Sequence, residues 1–265
     1  IDGEAKHDES GYSVSLSANG TRVAIGAPYN DGSGNDSGHV RVYDSSGNSW
    51  EQVGSDIDGE AADDKSGWSV SLSADGTRVA IGAPENDGSG NDSGHVRVYD
   101  SSGNSWVQVG SDINGEAIYD YSGRSVSLSA NGTRVAIGAP YNDGSGNSSG
   151  HVRVYELDST GNSWVQVGSD IDGESADDES GWSVSLSADG TRVAIGAIYN
   201  AGNGSSSGHV RVYDSSGSSW VQVGSDIDGE AASDESGWSV SLSANGTRVA
   251  IGAPFNDGSG NDSGH

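Results

Sequence analysis

Cysteine and methionine are both missing from this chain, phenylalanine occurs once, and basic residues number 12 against 39 acidic ones. Without cysteine there is no disulfide framework, and the redox compartment cannot be read from the sequence. A formal net charge of -27 repels phosphate backbones and anionic membrane surfaces, which argues against nucleic acid as a partner. No apolar run approaches the length of a transmembrane helix, so no direct membrane insertion is expected and any anchor lies outside these residues. Ile1 opens in mid-repeat, with neither an initiator nor an apolar signal segment, and the chain is therefore expected to be a processed or excised piece of a longer one.

What is present is repetition. A block of about 56 residues starts at Ile1, Ile57, Ile113, Ile171 and Ile227, which divides the chain into 1–56, 57–112, 113–170, 171–226 and a partial 227–265. Repetition at this period signals an array of like supersecondary units, none of which buries its apolar face alone. The 43 glycines, with abundant Ser, Asn and Asp, do not form long tracts but cluster between Val/Ile/Leu alternations, which is turn chemistry rather than disorder.

The second copy shows the pattern. Val70 and Leu72 alternate with Ser69, Ser71 and Ser73; Val79 and Ile81 with Arg78, Ala80 and Gly82; Val96 and Val98 with His95, Arg97 and Tyr99. A fourth strand runs from Ser105 to Gly110, and its tryptophan, Trp106, recurs as Trp50, Trp164 and Trp220. Ala74-Asp75-Gly76 supplies a tight hairpin turn, with Asn-Gly in its place at Asn19, Asn131 and Asn245. No helical period appears. Four short antiparallel strands per unit predict an all-β fold, a β-propeller of four-stranded blades, with the third and fourth strands toward each blade's outer edge. One face of the blade is expected to be aliphatic and the other to carry Ser, Ala and Gly with Arg and Tyr, the last two stacking between blades.

Gly67-Trp68-Ser69-Val70, Val79-Ala80-Ile81-Gly82-Ala83-Pro84 and Gly94-His95-Val96-Arg97-Val98-Tyr99 resemble the FG-GAP repeat of integrin α-subunit propellers and their bacterial and algal relatives, and the resemblance extends over the whole chain. Gly-Ala-Pro stands at Gly26-Ala27-Pro28, Gly82-Ala83-Pro84, Gly138-Ala139-Pro140 and Gly252-Ala253-Pro254, with Ile198 in place of Pro in the fourth copy. The family's Phe-Gly is here Ser-Gly, followed by an aromatic at Tyr12, Trp68, Trp182 and Trp238 and by Arg124 in the third copy. The calcium loop that the resemblance implies between the first two strands is replaced by the tight turn, so that site does not carry over. Family propellers usually close with seven blades, whereas these residues supply four copies and two strands of a fifth. The ring is thus open, completed by a neighbouring chain, or part of a longer array, and the strand from Thr247 to Ala253 is expected to offer an unpaired edge.

Three constellations are candidates for chemistry. The links between copies carry Asp2, Glu4 and Asp8; Asp58, Glu60 and Asp64; Glu116 and Asp120; Asp172, Glu174 and Asp178; and Asp228, Glu230 and Asp234. Oxygen ligands at that density suit Ca²⁺, although the same acids serve as turn acceptors. The long loop between strands two and three is headed by Tyr29, Tyr141, Tyr199 or Phe255, with Glu85 in the second copy. An aromatic beside Asn and Asp suits a sugar, and the loop acids Asp31, Asp36, Asp87, Asp92, Asp257 and Asp262 suit a cation. Third, one histidine opens each third strand: His39, His95, His151, His209 and His265. A catalytic site is built once from unlike residues, so a histidine stamped into every blade reads as structural.

Glycosylation acceptors stand at Asn19, Asn35, Asn91, Asn131, Asn147, Asn203, Asn245 and Asn261, all in turns or long loops. The expected function is that of an extracellular or cell-surface module, structural or adhesive and not an enzyme. Its expected partners are other protein chains or copies of itself. The alternative is a multivalent glycan-binding propeller.

Overall fold

A computed structural model describes all residues from Ile1 to His265 and contains strands and turns but no helix. In the first copy β1 (Ser13–Leu16), β2 (Arg22–Ala27), β3 (His39–Ser46) and β4 (Ser49–Gln52) pair in chain order, and β5 (Ile57–Asp58) pairs with β3 beside β4. β4 lies against the second half of β3 and β5 against its start, with His39 opposite Asp58. The outer edge is thus one interrupted strand, and its last two residues are the first two of the next copy.

The second copy repeats this with β6 (Ser69–Leu72), β7 (Arg78–Ala83), β8 (His95–Ser102), β9 (Ser105–Gln108) and β10 (Ile113–Asn114). The third does so with β11 (Ser125–Leu128), β12 (Arg134–Ala139), β13 (His151–Leu157), β14 (Trp164–Gln166) and β15 (Ile171–Asp172). The fourth has β16 (Ser180–Leu186), β17 (Arg192–Ala197), β18 (His209–Ser215), β19 (Trp220–Gln222) and β20 (Ile227–Asp228). A final hairpin joins β21 (Ser239–Leu242) to β22 (Val249–Gly252). Two compact units are distinguished, Ile1–Val135 with Leu157–Val165 and Ala136–Glu156 with Gln166–His265. The edge expected to be open from Thr247 is shorter than the sequence suggests, because Ala253 already exchanges both backbone hydrogen bonds with His265.

Strand register decides which residues share a face. Val70, Ile81 and Arg97 lie side by side, as do Leu72, Val79 and Tyr99, so arginine and tyrosine belong to the aliphatic face. The opposite face carries Ser69, Ser71, Ala80 and Gly82 together with Val96 and Val98. This corrects the assignment of Arg and Tyr to the small-residue face. The expected stacking between blades is also replaced by a contact along one strand, with the Arg41 guanidinium 5.6 Å from the Tyr43 ring centre and the same spacing at Arg97 and Tyr99.

The core forms between sheets. In the first unit Ala24, Val40 and Val42 of the first sheet's small face, with Ile57, pack on Val70, Leu72, Val79, Ile81 and Tyr99 of the second sheet. In the second unit Ala136, Val152, Val154 and Ile171 meet Val184, Leu186, Val193, Ile195 and Tyr213 in the same way. On the corresponding face of the first sheet Val14 and Leu16 are 64% and 60% exposed. Hydrogen bonds accompany the packing. The serine hydroxyls of β1 and β6 donate to Gly67 and Gly123 carbonyls at 2.7 Å. Arg22 chelates Asp44 and reaches across to the Gly76 carbonyl at 3.0 Å, a bridge that Arg78 repeats through Asp100 and Gly132. The guanidinium of Arg22 holds the Asp44 carboxyl below the usual carboxylate range.

Close approach explains one glycine of the Gly-Ala-Pro motif. A Cβ on Gly26 would lie 2.0 Å from the Gly67 carbonyl oxygen of the adjoining sheet. Gly26→Ala should therefore destabilise the chain by about 1–3 kcal/mol through overpacking. Gly47→Ala, at a turn with open space around it and φ +66, should cost about 1 kcal/mol. Equilibrium denaturation of the two variants checks the order; equal stability would contradict the close packing of these sheets.

Candidate functional site

Two constellations that are separate in sequence form one surface in the fold. Each long loop is closed internally: Asp31 Oδ1 accepts the Asp36 N–H at 2.8 Å, Asp87 does the same for Asp92, and Asp257 for Asp262. The loop is then sewn to the link of the following copy. The Asp63 N–H donates to Asn35 O and the Lys65 N–H to Asp36 O, a pattern repeated by Tyr119 and Asn91, Asp177 and Asn147, and Ser233 and Ser205. On its other side, buried Asn30 donates to Asp8 Oδ2 at 3.0 Å, as Asn200 does to Asp178 and Asn256 to Asp234. The sequence does not single out these asparagines, whose signal is only their fixed place after the loop-head residue.

The last acid of each link is thereby a turn acceptor, with Asp64 Oδ2 also taking the Ala61 N–H at 2.9 Å. The loop acid Asp36 pairs with Lys65 at 2.8 Å, and that ammonium lies 4.5 Å from the Tyr29 ring centre. Tyr29 and Tyr141 are partly covered, whereas Tyr199 and Phe255 are exposed. The aromatics after Ser-Gly join them. Tyr12 packs on Trp68 at 4.6 Å between ring centres, Trp182 on Trp238 at 5.3 Å, and Trp238 on Phe255 at 6.0 Å. Arg124, the exception in the sequence, lies over Trp68 at 5.0 Å. The glycosylation candidates are all exposed, but Asn203 Nδ2 is engaged by the Gly229 and Glu230 carbonyls.

The histidines are buried at the start of β3, β8 and β18, and each meets two carboxylates from elsewhere in the chain. His39 Nδ1 lies 3.8 Å from both Glu4 Oε2 and Asp56 Oδ2. His95 Nδ1 lies 3.9 Å from Glu60 Oε2, with Asp112 in the same group, and His209 Nδ1 lies 4.0 Å from Asp226 Oδ2, with Glu174 alongside. Glu is contributed by the link before the first strand, and Asp by the break between β4 and β5 or its counterparts. In the fourth copy Glu174, Asp226 and Tyr199 border one cleft of about 670 Å³.

Sheets of this order, each packed face to face on a neighbour, define a β-propeller built of repeated four-stranded blades. The chain belongs to the FG-GAP repeat family, whose pattern matches residues 2–43, 56–99, 114–155 and 170–213. Comparison with curated protein sequences gives no significant match. Among solved structures, a Bacteroides uniformis protein described as a "putative 6-phosphogluconolactonase" superimposes with a TM-score of 0.58 at 9% identity, over 90% of this chain and 57% of that one. Hydrazine synthase of Kuenenia stuttgartiensis superimposes with a TM-score of 0.55 at 14% identity, over 90% of this chain and 70% of that one. At such identities the likeness is one of fold.

Burial, reinforced by Arg97 and opposed by Asp112 and Asp64, pushes the His95 imidazole down from 6.5 to about 4. Between these values the unfolded chain binds the proton and the folded chain does not. Stability therefore rises with pH across this window, is complete above 6.5, and is lost as pH falls toward 4, by about 3 kcal/mol for this one group. Urea denaturation in a chelator-containing buffer at pH 7 and pH 4.5 should show a smaller loss for His95→Asn than for the unmodified chain. Identical losses would mean that the imidazole is not buried neutral.

Proposed function

We propose that this chain is an extracellular or cell-surface structural and adhesive module that displays its acidic loops repeatedly and performs no catalysis. The supporting observation is the seam between each long loop and the next link, made by the same backbone hydrogen bonds in successive copies. It turns two acidic constellations into one recurring surface, and recurrence suits multivalent contact, in which weak sites add through effective concentration. The partners are other protein chains or further copies of this one, joined by Ca²⁺ where exposed acids face each other, and N-glycans at the exposed acceptors are compatible with that location. Beads coated with the protein should cluster in millimolar Ca²⁺ and disperse in chelator. A variant with Asp31, Asp36, Asp87 and Asp92 changed to Asn should cluster less. Clustering that ignores both chelation and these substitutions would contradict the adhesive reading.

The aromatic row favours a second reading, a multivalent glycan-binding propeller, because flat rings beside Asn and Asp form a stacking platform. On that reading Tyr29, Tyr141, Tyr199 and Phe255 changed to Ala abolish retention on an immobilised glycan array without altering the far-ultraviolet spectrum. No retention of the unmodified protein would dispose of it.

A further inference from the structure

The histidine clusters have an arrangement that neither a hydrogen bond nor simple burial accounts for. His209 is 1% exposed, and its Nδ1 is buried with no hydrogen-bond partner. That same atom is aimed between two carboxylates, 4.0 Å from Asp226 Oδ2 and within the 4.8 Å that encloses the ligand atoms of Glu174, His209 and Asp226. Four ångströms is too long for a hydrogen bond. Bonds of about 2.0–2.2 Å place two ligand atoms about 3.3–3.6 Å apart at a tetrahedral angle, so an imidazole nitrogen and a carboxylate oxygen 4.0 Å apart need to close by only a few tenths of an ångström to share one ion.

The carboxylates are also held from behind. Asp226 Oδ1 accepts Gln222 Nε2 at 2.6 Å, so that Oδ2 is the oxygen facing the imidazole, and Glu174 Oε1 meets Arg211 at 3.4 Å. The first copy repeats this with Gln52 on Asp56 and Arg41 on Glu4, and the second with Gln108 on Asp112 and Arg97 on Glu60. Partners that orient ligands in this way are characteristic of metal sites. The cleft beside Glu174 and Asp226 gives solvent access for the remaining coordination positions.

The geometry points to a divalent transition cation of the zinc class held by Nδ1 of His209 and the carboxylates of Glu174 and Asp226, with Glu4, His39 and Asp56 and Glu60, His95 and Asp112 gathered in the same way for further ions. One imidazole with two carboxylates selects such an ion over Ca²⁺ or Mg²⁺, which prefer oxygen donors alone. The third copy spells the same residue types at Glu116, His151 and Asp170. This ion lies away from the loop acids, of which Asp31 closes the loop on the Asp36 N–H and Asp36 pairs with Lys65.

Chelator-treated protein is titrated with ZnCl₂ and, separately, CaCl₂ by calorimetry at pH 7, and retained metal is counted after desalting. The unmodified chain should retain several zinc ions, and calcium should not displace them. His209→Ala should retain one ion fewer. The variant with His39, His95, His151 and His209 all changed to Ala should retain none, while Asp31→Asn with Asp36→Asn should retain the full number. Glu174→Gln with Asp226→Asn keeps the buried imidazole and should weaken zinc at that site at least tenfold, which covers the case in which the histidine variants fold poorly. Zinc should also shift the His209 Nδ1 resonance in a long-range ¹H–¹⁵N spectrum. No zinc retained by the unmodified chain, undiminished retention after the Glu174 and Asp226 changes, or loss of zinc on changing the loop acids alone would each overturn the proposal.

Discussion

Close packing of one blade's small-residue face on the next blade's aliphatic face is the interaction on which the rest depends. Neither face is a core by itself. Val70, Leu72, Val79 and Ile81 leave water only because Ala24, Val40 and Val42 lie opposite, and the second sheet comes near enough because Gly26 has no side chain to hold off the Gly67 carbonyl. The polar groups obey the same constraint. Ser13 and Ser69 donate to carbonyls of the neighbouring blade, Ser15 and Ser71 accept its Leu72 and Leu128 N–H groups, and Arg22 and Arg78 donate across the joint to the Gly76 and Gly132 carbonyls. The sequence repeats so closely because each copy must fit both the copy before it and the copy after it.

Much of this architecture is legible without coordinates. Period-two alternation locates the strands, and the Asp-Gly and Asn-Gly turns fix the first hairpin. Asp75 Oδ1 accepts both the N–H and the hydroxyl of Thr77, the local bonding that such a turn uses. The distribution of Arg97 and Tyr99 between faces was less accessible. Alternation within one strand says that they oppose Val96 and Val98, but only the pairing of Ile81 with Arg97 and Val79 with Tyr99 says which neighbours they join. The fifth strand was hidden for a related reason: Ile57 and Asp58 belong to the next copy by repetition and to the first sheet by hydrogen bonding.

The candidate site was legible in parts rather than as an assembly. Acidic links, acidic loops and recurring histidines each stand out as separate patterns. That link and loop share a surface follows from backbone bonds such as Asp63 to Asn35, which no residue type encodes. That Glu4, His39 and Asp56 converge depends on the interruption of the outer strand, which sets Asp56 beside the start of β3. The fold itself is shared with proteins of unrelated chemistry, so function rests on what these blades display.

Adjacent sheets share one core, and hydrogen exchange on an Ile81→Ala variant tests this most directly. Truncating this buried side chain should cost about 2–5 kcal/mol. If the core is shared, the amides of Ala24, Val40 and Val42 in the first sheet lose protection together with those of β7 and β8, and by a comparable amount. Loss confined to the second sheet, with the first sheet's protection unchanged, would contradict it.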